Sequence, residues 1–338
     1  MPFTITPCDF FDDVNRVRAL FARLVHTPHP ENIAMVPSVS YGMAVVARNT
    51  PLSPKSSVVT VHHQFPSNVY PWRRLCADAG ATLEVVRPPD GAQRRAESWN
   101  QAILEAIDSR TALVAVPQIH WTDGTIFDVS AIGTRAREVG AAFVIDGTQS
   151  VGAMELDVSD VNPDALVCAA YKWLLGPYAT GCAFFGPRFR DGIPIEETWI
   201  GREGSEDFSG LVDYQDRYRE GAIRFDVGEN SNFSLMPMVI AALEQILEWG
   251  VAPINHYCGQ LTAPLAAAAQ EKGYAVAEES GRARHMFGIR VPSGLDLQEL
   301  RARLAERQVF VSVRGDAIRI APHVYNDSED VAALIDLL

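Results

Sequence analysis

The chain has 338 residues, of which 47% are hydrophobic and 21% are charged, and its formal net charge is -13 at pH 7. This length and composition are typical of a globular protein with one large and one small domain, and they leave little room for long disordered segments. The acidic balance argues against a nucleic-acid partner, because phosphate backbones bind basic surfaces. Any anion-binding site must therefore be local.

The cysteines and the apolar runs argue for a reduced, cytoplasmic protein. The five cysteines are scattered without C-x-x-C spacing, so they favour neither a zinc site nor a disulfide framework. The first residues lack a basic stretch followed by an apolar one, so no signal peptide is predicted. No apolar run approaches the roughly 18 residues that a membrane span needs. We therefore expect no membrane partner and a cytoplasmic location.

Apolar spacing predicts alternating helices and strands along the first half of the chain. Short apolar strands separated by helices indicate a parallel sheet that is covered by helices. The predicted strands are residues 33–36, 57–61, 82–86, 112–116 and 141–145, and the predicted helices are residues 11–24, 72–79, 99–107 and 131–139.

Two residues of opposite charge stand out in the stretch 143–181. Asp146 directly follows the predicted strand at 141–145, so it lies at the carboxyl edge of the sheet, where open α/β folds bind ligands. Lys172 lies in the apolar segment YKWLL, where burial would lower its pKa and leave a nucleophilic amine. Together they suggest pyridoxal phosphate (PLP), with Lys172 forming a Schiff base and Asp146 keeping the ring nitrogen protonated.

The rest of the chain predicts a long irregular segment and then a second domain. Residues 187–227 are polar and irregular, which is typical of a functional or interface loop. The apolar helix predicted at 235–249 ends at Gly250, where we place the boundary between a large PLP-binding domain (11–250) and a small C-terminal domain (251–338). Residues 1–10 are a candidate addition to the small domain. The small domain is predicted to hold two helices, a closing helix and strands at 286–291, 309–313 and 318–320.

The ordered motifs D-G-T-Q-S-x-G, P-D-A and Y-K-W-L-L-G-P-Y-x-x-G resemble those of the class V aminotransferase family of fold-type I PLP enzymes. That family includes cysteine desulfurases, kynureninases and isopenicillin N epimerases. The resemblance runs from about Val14 to the end of the chain. It implies a large α/β domain with a mostly parallel, helix-covered sheet, a small C-terminal α+β domain, and a homodimer with its site at the two-fold interface.

The resemblance assigns the turn after the first strand to the cofactor phosphate. Ser40, Tyr41 and Gly42 lie there, where a helix N-terminus offers free N–H groups. Phe65 takes the position of the ring that stacks on the cofactor, and Trp121 is a candidate in the segment that passes beside the cofactor ring and its 3-hydroxyl. Without the resemblance, both aromatic residues are equally well explained as core packing.

Further cofactor contacts are implied in and after the central motif. Gln149 would donate to the cofactor's 3-oxygen, and Tyr171 would reach its phosphate. Asn230 lies in the segment that family members lend to the neighbouring subunit's phosphate. The chain departs from the family there, because Glu229 stands where a threonine is common and a carboxylate would repel a phosphate.

Arg319 and His120 are the residues that the resemblance assigns to the substrate. Arg319 is flanked by isoleucines in a predicted strand, and a buried guanidinium needs an anion such as the substrate α-carboxylate. The alternative for Arg319 is an edge-strand salt bridge. His120 either lines the substrate side or merely caps a loop.

Two departures argue against desulfurase chemistry. Phe65 replaces a histidine that desulfurases use for proton transfer, which brings the chain closer to the kynureninase pattern. No cysteine follows residue 260, so the persulfide mechanism is not supported. The resemblance also indicates that this chain lacks several dozen residues that precede the first helix in the family, so its substrate pocket is either more open or completed by a partner subunit.

These inferences predict a PLP enzyme that acts on an α-amino acid through an external aldimine and a carbanion at Cα. The leading interpretation is an aminotransferase. The alternatives are a C–S or C–C β-lyase, an epimerase, and a non-catalytic binding protein on the same fold. The intact Asp146, Gln149 and Lys172 argue against the last of these.

Overall fold

The computed structural model describes residues 2–89, 94–292, 294–314 and 317–338. Its strands are β1 (Ile33–Val36), β2 (Ser57–Val61), β3 (Thr82–Val86), β4 (Thr111–Pro117), β5 (Ala142–Asp146), β6 (Ala165–Ala169), β7 (Gly181–Phe185), β8 (Ala275–Val276), β9 (Phe287–Arg290), β10 (Ser312–Arg314) and β11 (Ala317–Ile320). Its α-helices are α1 (Asp12–Leu24), α2 (Val39–Arg48), α3 (Tyr70–Ala79), α4 (Arg95–Ala106), α5 (Val129–Glu138), α6 (Val158–Val161), α7 (Leu235–Trp249), α8 (Val251–Glu271), α9 (Leu297–Glu306) and α10 (Ser328–Leu337).

The first seven strands form one mixed sheet in the order β1-β7-β6-β5-β4-β2-β3. Strands β3, β2, β4, β5 and β6 pair in parallel, whereas β7 is antiparallel to both of its neighbours. Parallel neighbours need crossover connections, and helices supply most of them. The predicted mostly parallel, helix-covered sheet is therefore confirmed.

Both faces of this sheet are buried, as its apolar strands require. Alternate residues of β5 point to opposite sides, so Phe143 and Ile145 join one core and Ala142 and Val144 join the other. The strands β6 and β7, which the sequence analysis did not predict, are also buried throughout. An apolar run without alternation does not reveal its period, which is why these two strands were missed.

A second sheet lies in the C-terminal part of the chain, in the order β10-β11-β9-β8, with antiparallel pairing throughout. Its buried side chains pack with α8, α9 and α10 in a core of their own. The predicted small α+β domain is confirmed. The strand predicted at 309–313 was placed too early, because β10 begins at Ser312.

We propose that the two domains meet at Gly250, between α7 and α8. This glycine has a φ of 80°, and the two helices meet there at 73°. Phe10 packs edge-on against Trp199, Phe208 and Phe233, so the start of the chain contacts the large domain rather than the small one.

The helix pair around this bend also bears on membrane insertion. Within the described ranges, no single helix is long and apolar enough to cross a membrane. Together, Leu235–Trp249 and Val251–Glu271 pass that test by length and composition only, as a pair bent by 73°.

Gly124 lies where the two domains touch, and we predict that it cannot be replaced. Its φ is 74°, and a Cβ atom there would lie 2.0 Å from the Met286 carbonyl oxygen. Gly124→Ala should lower the free energy of unfolding by about 2–4 kcal/mol, from left-handed strain plus overpacking. Denaturant unfolding measures this change.

Gly140→Ala is the matched control, because Gly140 has a φ of 78° and nothing lies within 4 Å of its Cβ position. Its free energy of unfolding should fall by only about 1 kcal/mol, which is the strain of alanine in a left-handed backbone conformation. Equal losses in the two variants would show that the interdomain contact at Gly124 contributes nothing.

Candidate active site

A cavity of about 290 Å³ opens at the carboxyl edge of the parallel strands. The ends of three strands meet there, because Pro117 of β4 pairs with Asp146 of β5, and Asp146 pairs with Val167 of β6. The cavity is lined by Pro37, Ser38, Val39, Ser40, Gln64, Phe65, Ser67, Pro117, Ile119, Trp121, Asp146, Thr148, Gln149, Ala169, Tyr171, Lys172, Tyr178 and Ala179.

Lys172 reaches this cavity from the loop that follows β6. Its Nζ lies 5.1 Å from the centre of the Phe65 ring. Burial lowers the pKa of this amine, Asp146 opposes the change, and the positive charges of Arg319 and Arg314 add to it. A lowered pKa leaves more of the amine neutral and nucleophilic.

Asp146 lies at the floor of the cavity and is only 6% exposed. The Thr148 amide donates to its Oδ1 at 3.1 Å, but burial still raises the pKa of this carboxyl. A buried carboxylate with a raised pKa is stabilised by a cation. A protonated ring nitrogen would fill this role, so the site fits the cofactor that the sequence predicts.

Gln149 is held in place by residues that the sequence analysis did not assign. Its Oε1 accepts a hydrogen bond from Trp173 Nε1 at 3.2 Å, which leaves its amide nitrogen to donate towards the cavity. His285 Nε2 donates to the Gln149 carbonyl at 2.8 Å, and the His285 ring packs edge-on against Trp173. His285 is on the small domain, so no local sequence signal could have revealed this contact.

The N-terminus of α2 faces the same cavity. Ser38 is its N-cap and accepts from the Tyr41 amide, and Ser40 lines the cavity and donates to the Ser67 hydroxyl at 3.0 Å. Free N–H groups at this helix end suit a phosphate. Tyr41 and Gly42 do not line the cavity. Burial raises the pKa of the Tyr41 phenol, with Glu196 and Asp226 adding to the rise, and a Cβ on Gly42 would lie 2.7 Å from Val167.

Phe65 and Trp121 form an aromatic wall of the cavity. Their ring centres are 5.3 Å apart in an edge-to-face arrangement. The Trp121 indole donates to the His63 carbonyl at 2.6 Å, so its orientation is determined by the protein. Phe65 presents an apolar ring beside Lys172 and offers no proton.

His120 does not line the cavity and is only 1% exposed. Its Nε2 donates to the His62 carbonyl at 3.0 Å, and its Nδ1 lies 2.7 Å from the Thr122 hydroxyl. Trp121 takes the cavity side, and the predicted substrate contact of His120 is therefore replaced by an internal hydrogen-bond network.

Asn230 is also outside the cavity of its own chain. It donates to Asp226 at 2.5 Å, and Asp226 forms a buried ion pair with Arg18. The predicted contribution of Asn230 to a neighbouring subunit stays a prediction.

Arg319 lies on β11 and does not itself line the cavity, but it contacts Trp121, which does. Its Nη1 donates to the Trp121 carbonyl at 2.7 Å. Burial lowers its pKa to about 10, and the charge of Arg314 adds to the change. The sequence analysis missed Arg314, although an arginine near the predicted strands was a visible signal.

Comparison with known proteins agrees with this geometry. A family model described as aminotransferase class-V matches residues 8–334. An uncharacterized aminotransferase YcbU from Bacillus subtilis (strain 168) is 29% identical over 94% of this chain and 80% of the relative. An isopenicillin N epimerase from Streptomyces clavuligerus is 25% identical over 96% of this chain and 83% of the relative.

Solved structures share the fold. A cysteine desulfurase from Thermococcus onnurineus NA1 superposes with a TM-score of 0.81 at 22% identity, over 97% of this chain and 83% of that one. The C-DES protein, solved with glycine covalently linked to its PLP cofactor, superposes with a TM-score of 0.83 at 17% identity, over 97% of this chain and 85% of that one. The predicted fold-type I architecture is confirmed.

The burial of His285 predicts an acid-sensitive structure. Burial lowers the pKa of His285 to about 4, whereas an unfolded histidine titrates near 6.5. The unfolded state therefore binds more protons between these values, and stability should fall by at most roughly 3 kcal/mol as the pH drops from 6.5 to 4. Unfolding experiments across this range measure the loss.

His285→Phe should reduce this pH dependence, because the side chain no longer titrates, whereas burial of His323 and His62 also lowers their pKa values and leaves a part of it. His256→Phe, at an exposed position on α8, is the control and should leave it unchanged. A wild-type slope that persists in full in His285→Phe would rule out His285 as a source.

Proposed function

The chain belongs to the class V aminotransferase family, and we propose that it is a PLP-dependent aminotransferase acting on an α-amino acid. One observation carries the proposal: the amine of Lys172, with its lowered pKa, and the buried carboxylate of Asp146 share one cavity. Membership in the family makes the chain an enzyme whose cofactor is pyridoxal phosphate.

When bound, pyridoxal phosphate supplies an aldehyde that captures amines and a ring that accepts electrons from bonds at Cα. Lys172 would hold the cofactor through its amine, and the same amine would take the Cα proton as a general base. Asp146 would hold the proton on the ring nitrogen. The aromatic wall of Phe65 and Trp121 excludes water from one side of the site.

The other assigned residues hold the reacting groups in place. Ser40 and the N-terminus of α2 bind the phosphate, and Tyr171, which lines the same cavity, also reaches it. The side-chain amide N–H of Gln149 would donate a hydrogen bond to the 3-oxygen. Arg319 binds the α-carboxylate through its guanidinium fork, which orients the bond at Cα.

A C–S or C–C β-lyase is the second candidate, and one observation favours it. The wall beside Lys172 is Phe65, which cannot exchange protons, so Lys172 is the available base in that part of the cavity. No cysteine is among the described residues that line the cavity, which argues against a persulfide route. Epimerisation would use the same residues.

The first test is the absorption spectrum of the purified protein with PLP. Wild-type protein should show the visible band of a lysine-bound cofactor, and Lys172→Ala should lose it together with about 10²–10⁴-fold of turnover. Borohydride reduction and peptide mass analysis would then place the cofactor on Lys172. Lys55→Ala, at an exposed lysine, is the control and should keep both signals.

The identity of the reaction products distinguishes the candidate reactions. Amino-group transfer to a keto acid supports the aminotransferase, and release of pyruvate or alanine supports a lyase. Loss of optical activity without release of a product supports an epimerase. A wild-type spectrum without the band after PLP addition would contradict the proposal for all three.

We further propose a homodimer. Large apolar side chains are exposed around the cavity mouth and on the 187–227 segment, among them Tyr178, Trp199, Val212 and Tyr214. Such a patch commonly marks an interface. A cytoplasmic location also stays a prediction.

Light scattering tests the dimer. Wild-type protein should have twice the chain mass of 37.1 kDa, and Val212→Glu with Tyr214→Glu should shift it towards that of a single chain. Phe310→Glu, at an exposed residue of the small domain, is the control and should leave the measured mass unchanged. A wild-type mass of one chain would refute the dimer.

A further inference from the structure

Two arginines of the small sheet share one face of it. Arg314 of β10 pairs with Ala317 of β11, so their side chains lie on the same side. Arg319 is two residues after Ala317 on β11 and therefore also points to that side. Strand register thus brings two guanidinium groups together, although five positions separate them in the sequence.

Both arginines contact Trp121, which is one of the residues that line the active-site cavity. Arg319 donates to the Trp121 carbonyl at 2.7 Å, and the Arg314 guanidinium lies 5.4 Å from the centre of the Trp121 ring. Their positive charges both lower the pKa of Lys172, in agreement with a position close to the reacting amine. The two groups therefore lie next to the cavity, beside Trp121.

Neither arginine is neutralised by an acid within the described ranges. Each Nε is buried without a hydrogen-bond partner among the described residues. The Nη1 of Arg314 donates to the carbonyl of Val313. Asp123, an acid close to Trp121 in sequence, is engaged by Arg95 and Arg290 instead.

Two like charges held next to one cavity repel each other and destabilise the fold unless anions bind them. The chain as a whole is strongly acidic, so this concentration of positive charge is a local feature. An ordinary α-amino acid carries one carboxylate, which Arg319 binds in the proposed function. Arg314 therefore has an anion to bind only if the substrate carries a second anionic group.

We propose that Arg314 recognises an anionic group at the end of the substrate side chain, so that the preferred substrate is an acidic α-amino acid. This inference rests on the proposed function. The planar guanidinium suits a carboxylate, and other oxyanions such as a sulfinate or a phosphate share that chemistry. The cation–π contact with Trp121 holds the Arg314 guanidinium beside a residue that lines the cavity.

Titration of the PLP-loaded protein tests the preference. We would follow the visible absorption band while adding L-glutamate or L-aspartate and, separately, their neutral counterparts L-glutamine and L-asparagine. Wild-type protein should bind the acids about 10- to 100-fold more tightly than the amides, as expected for one charge-assisted contact. Parallel titrations with L-cysteine sulfinate and O-phospho-L-serine identify which anionic group binds best.

Substitutions separate the roles of the two arginines. Arg314→Gln should remove the preference for acids, measured as the ratio of the acid and amide affinities, and Arg314→Lys should restore part of that ratio. Arg319→Gln should weaken acids and amides alike, since both carry the α-carboxylate. Arg301→Gln, at an exposed position on α9, is the control and should change nothing.

A second readout does not depend on the spectrum. Ligands that bind the folded state raise the unfolding temperature, so acids should raise it more than amides in wild-type protein but not in Arg314→Gln. Equal binding of acids and amides by the wild type, or an equal loss of both in Arg314→Gln, would overturn the inference while the proposed function stands. No response to any amino acid by either readout would overturn both.

Discussion

The parallel pairing of β4, β5 and β6 is the constraint on which the site depends. Their backbone hydrogen bonds bring the ends of the three strands level, with Pro117 beside Asp146 and Asp146 beside Val167. Because parallel strands share one carboxyl edge, the loops after them must leave the sheet at the same place. Trp121 and Lys172 therefore meet Asp146 around one cavity, although up to 51 positions separate these residues in the sequence.

Burial gives the site its chemistry by acting on opposite charges in opposite directions. It lowers the pKa of Lys172 and raises that of Asp146, and each residue partly offsets the change in the other. Burying a charged group lowers the free energy of unfolding. The large apolar cores on both faces of the sheet must therefore stabilise the fold around Lys172 and Asp146. A cavity lined by a buried carboxylate and a nucleophilic amine is suited to a charged cofactor.

The small domain contributes more to the site than its distance in sequence suggests. His285 contacts the Gln149 carbonyl, and Arg319 contacts the Trp121 carbonyl. Gly124 permits the close approach of the two domains, because its missing side chain leaves room for the Met286 carbonyl. Movement between the domains would therefore displace Gln149 and Trp121. The packing of the interface is thus connected to the geometry around the cofactor.

The sequence by itself determined the family motifs, the strands before the central motif and the pairing of Asp146 with Lys172, because these depend on local apolar patterns and on residue types with distinctive chemistry. Strand positions such as 33–36 and 57–61 agree with the structure, since short apolar runs between turns leave little choice. Only the tertiary structure decided which neighbour of a pair faces the cavity: Trp121 does and His120 does not. It also decided that Arg314 joins Arg319, because strand register across β10 and β11 is a property of pairing between segments and is not encoded in either segment alone.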